Sequence, residues 1–174
     1  MLTPTEAFIV MQRLLRAMNY LHKRHILHRD IKPENIFLKR RFDLNSSLLG
    51  DFGLSVDMKR ETLRRDVQVG TPRYLPPEIT HGKEESSKEA DIWAFGVVCF
   101  RLLTNQYPDQ NGKANYDLIS DDRAVRVVKQ CLRPKKEYRP PPDQLLQMDG
   151  IKEGLVLDKN DLSIIKGGDK WWRE

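Results

Sequence analysis

His28-Arg29-Asp30-Ile31-Lys32-Pro33-Glu34-Asn35 is the stretch that decides how this chain is read, and it lies where a helical period stops. Upstream, Phe8, Met11, Leu14, Leu15, Met18 and Leu21 recur at helical spacing, with Gln12, Arg13, Arg16 and Asn19 on the other side. This spacing predicts an amphipathic helix over about Thr5 to Lys23. Pro4 marks its start, with the Thr5 hydroxyl as the cap and Glu6 near the positive end of the dipole. Downstream, Ile36-Phe37-Leu38 and Ser47-Leu48-Leu49 flank the polar turn Asp43-Leu44-Asn45-Ser46, the pattern of two short strands joined by a loop.

Farther along, residues 55 to 82 lack sustained periodicity and contain Gly70, Pro72, Pro76, Pro77 and Gly82, so an irregular loop is expected there. Loops of that length are usually functional. From Asp91 through Trp93, Phe95, Phe100 and Leu103 the chain is apolar all round, as in a helix buried at a domain centre. Val125, Val128, Cys131 and Leu132 mark another helical face, ended by Pro134, and Pro142 to Met148 reads as a short helix after a proline start. The expected division is a folded unit over 1–148 and a tail over 149–174, the latter carrying Trp171-Trp172.

Composition excludes several classes. A chain of 174 residues, 39% hydrophobic and 32% charged, is long enough to bury a core and is neither fibrous nor a low-hydrophobicity disordered chain. The formal charge of +5 raises nucleic acid as a partner. Its basic clusters, Lys39-Arg40-Arg41, Arg64-Arg65 and Lys135-Lys136, are scattered and lack an aromatic stacking pattern, so solvated faces are expected and nucleic acid is not. Cys99 and Cys131 have no metal-ligand spacing, which suits a reducing compartment. The longest apolar stretch, Ile92 to Phe100, falls far short of the ~20 residues of a membrane span, and the N-terminal residues lack a secretory pattern. A cytoplasmic or nuclear protein with no membrane partner is the expectation.

Four motifs in order carry a resemblance. His28-Arg29-Asp30-Ile31-Lys32-Pro33-Glu34-Asn35 is similar to the catalytic loop of eukaryotic serine/threonine protein kinases, and Asp51-Phe52-Gly53 to their metal-binding motif. Gly70-Thr71-Pro72-Arg73-Tyr74-Leu75-Pro76-Pro77-Glu78 resembles the end of the activation segment, and Asp91-Ile92-Trp93-Ala94-Phe95-Gly96 the central buried helix. Asp-Phe-Gly alone is a common loop tripeptide; the weight comes from the ordered set. The resemblance implies a mainly α (α+β) fold, the kinase C-terminal lobe with a small β-hairpin near the catalytic loop.

It also implies ATP and Mg2+ as cofactors and protein substrates bearing Ser or Thr. Asp30, Lys32 and Asn35 would be the catalytic set, Asp30 orienting the substrate hydroxyl and Lys32 neutralising the transferring phosphate. Asn35 and Asp51 offer the hard oxygens that magnesium prefers. Lys32, Glu34, Asn35, Phe37 and Asp51 would face the nucleotide, with Phe37 beneath adenine and Glu34 placed also to meet basic residues of a peptide. Arg29, Phe52, Gly53, Asp66, Thr71 and Glu78 would belong to activation-segment function, with Arg29 binding an acidic or phosphorylated group there. His28 would stack with Phe52, Asp91 would anchor the catalytic loop, and Arg139 would pair with Glu78. Lysine at position 32 and Gly70-Thr71 favour serine or threonine as acceptor over tyrosine.

The chain departs from the family pattern in places. No Gly-x-Gly-x-x-Gly or Val-Ala-x-Lys is present, so the N-terminal lobe is expected to be absent, and a regulatory protein or that lobe is an expected partner. Asn35 to Asp51 is longer than usual, which enlarges the hairpin at little cost. Val67 stands at the usual activating phosphosite, so Asp66 is a candidate permanent charge for Arg29 and Thr62 the remaining hydroxyl for modification. Pro-Pro-Glu with Tyr74-Leu75 resembles Aurora-type kinases. The rival readings are an inactive kinase fragment or pseudokinase that binds partners, and a basic nucleic-acid module.

Overall fold

The computed structural model describes residues 1–60, 69–82 and 85–153. Its first element, α1 (Pro4–Lys23), starts one residue earlier than expected and is capped by Thr3, not Thr5. Pro4 has no N–H to satisfy and sits well at the first helical position, so the cap falls just before it. Thr3 Oγ1 accepts from Glu6 N at 3.3 Å while Glu6 Oε2 accepts from Thr3 N at 2.8 Å, a reciprocal capping box.

The apolar stripe of α1 is buried as its spacing implies, but two residues expected on the wet side are buried as well. Gln12 and Arg13 are each only 3% exposed. Gln12 Nε2 donates to Ile151 O at 2.7 Å, and Arg13 Nε to Ser47 O at 3.5 Å. α1 is therefore covered on more sides than a surface helix, and periodicity alone cannot report a neighbour contributed by residues 139 positions away.

After β1 (Ile26–Leu27) the chain makes a short turn at Pro33–Asn35 and enters the hairpin of β2 (Ile36–Leu38) and β3 (Ser47–Leu49). The antiparallel register sets Ile36 opposite Leu49 and Leu38 opposite Ser47. A second pair, not foreseen, joins β1 to β4 (Val56–Asp57), with Ile26 opposite Asp57. Two residues per strand are too few to show an alternation. The two small sheets close around the catalytic loop and bring both ends of the Asp51-Phe52-Gly53 segment to it.

Irregular chain then leads to α2 (Pro77–Thr80) and to α3 (Lys88–Thr104), which opens at Ser87 and ends at Asn105 in a left-handed conformation (φ 60°). Trp93, Phe95, Val98 and Phe100 of α3 are each no more than 1% exposed, so this helix is the core. α4 (Asp122–Cys131) packs across it at Gly96, where an added Cβ would come within 2.6 Å of Cys131 Cβ. The close approach requires glycine. α5 (Pro142–Leu145) and the following turn complete the packing against α1, with Leu145 and Ile151 fully buried. The result is a mainly helical kinase-like lobe with a small antiparallel hairpin. Among the described residues no helix is long and apolar enough to cross a membrane. Thr62, Asp66, Val67, Trp171 and Trp172 lie outside the described residues.

Candidate active site

The loop after β1 is held by α3. Asp91, in the first turn of that helix and 2% exposed, accepts the backbone N–H groups of His28 and Arg29, each at 2.9 Å, one on each carboxylate oxygen. His22 Nε2 lies 2.9 Å from the same oxygen that serves His28. Burial alone would raise the Asp91 pKa, but the hydrogen bonds from His22 and the two backbone donors outweigh it and bring it below the ordinary carboxylate range. The carboxylate thus replaces a peptide partner where regular pairing is impossible, since Arg29 takes φ 68°. That left-handed conformation is costly for a residue with a Cβ and persists only when its surroundings enforce it.

His28 is fully buried. Its Nε2 meets Gly50 O at 3.0 Å and its Nδ1 accepts Asp30 N–H at 3.3 Å, which requires a neutral ring protonated on Nε2. Burial lowers its pKa in agreement, against the opposing pull of Asp91 and the Gly50 carbonyl. The Phe52 ring packs on it with centroids 5.1 Å apart and a 58° tilt. This contact links the catalytic loop to the Asp51-Phe52-Gly53 turn.

Asp30 is where the pattern converges. Its Oδ1 accepts Thr71 Oγ1–H at 2.7 Å and Thr71 N–H at 3.1 Å. Its Oδ2 lies 2.7 Å from Lys32 Nζ and accepts Asn35 Nδ2–H at 3.0 Å. Lys32 Nζ also donates to Thr71 Oγ1 at 2.9 Å. Burial would raise the Asp30 pKa; hydrogen bonds from Lys32, Thr71 and Asn35 and the Lys32 charge hold it below the ordinary range. It is a carboxylate at neutral pH, 8% exposed, beside a cation whose side chain is 22% exposed. The lysine side chain is thus partly open to solvent.

Asn35 also donates to Asp30 O at 2.8 Å, so its amide nitrogen is committed to the loop. The amide oxygen is turned away from Asp30. Gly50 N–H donates to Asn35 O at 3.0 Å, which places Asp51 next along the chain from a residue bonded to Asn35. Asp51 takes φ 58° and is exposed, with Oδ1 accepting Gly53 N–H at 3.2 Å. Among the described residues neither Asp51 Oδ2 nor Asn35 Oδ1 accepts a hydrogen bond. Two available oxygens, one anionic, fit a small hard cation that takes its remaining ligands from water and phosphate. No group of three or more His, Cys, Asp or Glu suited to a metal occurs among the described residues, so an all-protein cage is not offered.

The other sequence-expected residues fall around this centre. Phe37 is 52% exposed on the hairpin, and the Gly50 backbone lies so close beneath its ring that a Cβ there would come within 2.9 Å. Glu34 is exposed on the turn after Lys32. Arg29 Nε donates to Leu54 O. Glu78 and Arg139 form a bidentate pair at 2.6 and 2.8 Å, with the guanidinium side chain wholly buried, bonded also to Arg133 O, Glu89 O and Pro134 O and stacked over Trp93. His22 takes a structural place: it continues the buried row of Met11, Leu15 and Met18 on α1 and bonds Asp91.

The protein kinase domain profile matches residues 1–151. The chain belongs to the protein kinase family. Its relatives are serine/threonine kinases. It is 33% identical over 165 residues to the ovarian-specific serine/threonine-protein kinase Lok of Drosophila melanogaster, covering 84% of this chain and 34% of that protein. It is 31% identical over 175 residues to CBL-interacting protein kinase 25 of Oryza sativa subsp. japonica, covering 90% and 34%. Aurora kinase B of Xenopus tropicalis is 35% identical over 167 residues, covering 89% and 43%. The chain spans about a third of the length of the first two relatives. Similarity is comparable across these differently named kinases, so the Aurora-like Pro76-Pro77-Glu78 does not single out a subfamily.

Proposed function

We propose that this kinase lobe carries the phosphoryl-transfer centre of a serine/threonine protein kinase, moving the γ-phosphoryl group of ATP to a protein hydroxyl. The observation that supports it is the Asp30 carboxylate, kept ionised and tied at once to Lys32, Asn35 and Thr71. Such transfer depends on positioning and charge neutralisation more than on covalent chemistry. Asp30 orients the acceptor hydroxyl and takes its proton. The carboxylate has about four lone-pair sites, all engaged by four donors, so the hydroxyl enters by displacing one of them. Lys32, whose side chain is partly open to solvent, is proposed as the one to leave, its ammonium then facing the transferring phosphate.

Asn35 Oδ1 and Asp51 would hold Mg2+, which would supply positive charge against that of the phosphate. Phe37 offers an exposed ring for the adenine, and Glu34, exposed on the turn after Lys32, is proposed to face the nucleotide as well. Arg29 is proposed to bind an acidic group of the activation segment, with Asp66 as the proposed source. The unit proposed to carry this chemistry is 1–148 together with the turn that buries Ile151, and the tail is proposed to begin after that turn.

The test is transfer of labelled phosphate from Mg-ATP to a serine peptide by the chain and by its Asp30→Asn variant. Activity in the chain and its loss by at least about a hundredfold in the variant is the expected outcome, as general-base removal typically costs 10²–10⁴-fold. Full activity in Asp30→Asn would refute the role of Asp30. Absence of transfer with retained peptide binding would favour the interaction-module reading.

A further inference from the structure

Beside the Asp30 centre lies a cation with no assigned work. Arg73 sits in the single turn Pro72–Tyr74, two residues after Thr71, and is exposed. Its guanidinium lies 4.9 Å from the centroid of the Tyr107 ring. Tyr107 is itself braced: its ring packs edge-on against Tyr74 at 5.9 Å, and the two hydroxyls lie 3.3 Å apart. Burial, then the bond to Tyr107, pushes the Tyr74 hydroxyl well above its ordinary pKa, so that phenol stays neutral and does not neutralise the arginine.

A second arginine, Arg101, also lies 4.9 Å from the Tyr107 centroid. Its NH1 donates to Asn105 O and Asn105 Oδ1, so its charge serves the end of α3. Arg73 differs. Among the described residues it makes no ion pair or hydrogen bond, and its only recorded partner is the ring face. A guanidinium stacked on an aromatic ring keeps its N–H edge open for a carboxylate or phosphate. The stacking fixes its direction, which reduces the entropy lost on binding.

Location decides what it meets. Thr71 Oγ1 touches both Asp30 and Lys32, at 2.7 and 2.9 Å. Two residues of chain span at most about 7 Å, so the Arg73 backbone stays close to the Thr71 held at Asp30, and its long side chain is in reach of peptide positions flanking a hydroxyl there. We propose that Arg73, braced on Tyr107, reads an acidic or phosphorylated side chain near the acceptor hydroxyl of the protein substrate. The inference rests on the kinase reading above and adds a substrate class to it. Glu34 lies close enough to act electrostatically on Tyr74, so the mouth carries opposite charges, and a peptide with an acid on one side of the acceptor and a base on the other suits both.

The test uses the full chain and fluorescein-labelled serine peptides bearing Asp, phosphoserine, Ala or Arg in turn at each position within four of the acceptor, with binding read by anisotropy. At one position Asp is expected to tighten binding about fivefold over Ala, and phosphoserine more, as fits a partly exposed bidentate pair. That ratio should fall to about one in Arg73→Gln, and Arg73→Glu should favour the Arg peptide at the same position. Equal binding of acidic and neutral peptides, or an acid preference that survives Arg73→Glu, overturns this proposal and leaves the acceptor-site reading standing. If no peptide of any charge binds, both fall together.

Discussion

Replacing Asp91 with alanine should loosen the catalytic loop and the whole lobe together. The substitution strands the backbone N–H groups of His28 and Arg29, the former belonging to a fully buried residue, and leaves His22 Nε2 without its partner. Two orphaned backbone donors cost about 1–3 kcal/mol each, or about 2–6 kcal/mol in sum. Removing a buried carboxylate returns part of its desolvation penalty, so the net loss should be about 2–4 kcal/mol. Domains of this kind hold only about 5–15 kcal/mol in total. For a chain of this length each kcal/mol moves Tm by about 2–4 °C, so a fall of about 4–16 °C is expected. Urea unfolding gives the free energy, and amide hydrogen exchange at His28 and Arg29 gives the local effect. A loss below about 1 kcal/mol with unchanged protection at both amides would show that Asp91 does not hold the loop, and the account of the left-handed Arg29 would fail with it.

Other consequences follow from the same geometry. Glu78→Ala leaves the buried Arg139 guanidinium facing only three carbonyls, and removing one partner of a buried pair should cost about 3–5 kcal/mol by urea titration; Arg139→Met added to it should recover part of that loss. Gly96→Ala drives a methyl against Cys131 and Leu132 where α3 meets α4, and calorimetry should find about 1–3 kcal/mol of overpacking. Stability should also fall with acid in two stages. His28 has a depressed pKa in the folded state, so its contribution is full above its unfolded value of about 6.5 and is lost as pH drops from there. Asp30 and Asp91 are depressed too, and theirs is full above about 3.9 and lost below it. Urea midpoints from pH 8 to 3 check this, and Asp91→Ala should flatten the lower stage.

Much of the lobe was legible because its signals are local. The stripe from Phe8 to Leu21, the all-apolar run of α3 and the hairpin residues around Asp43 each announce an element within a few turns of chain. The β1–β4 pair gave no such sign, because two-residue strands are made by partners about thirty residues apart. The burial of Gln12 and Arg13 also came from outside α1, from Ile151 and Ser47.

The amino-acid order alone determined which chemistry the chain has at its disposal: an aspartate, a lysine, an asparagine and a second aspartate in ordered motifs, with the helices to carry them. Only the tertiary structure decided how those groups are used. Thr71, forty-one positions from Asp30, closes the cluster around its carboxylate. Asp91, reaching over from α3, stabilises a backbone turn that no local propensity favours. Tyr107 turns Arg73 from one exposed charge among many into an oriented one. The physical reason is common to all three: a side chain's type is a property of one residue, whereas its ionisation, direction and hydrogen-bond partners depend on groups that meet only when the chain has folded.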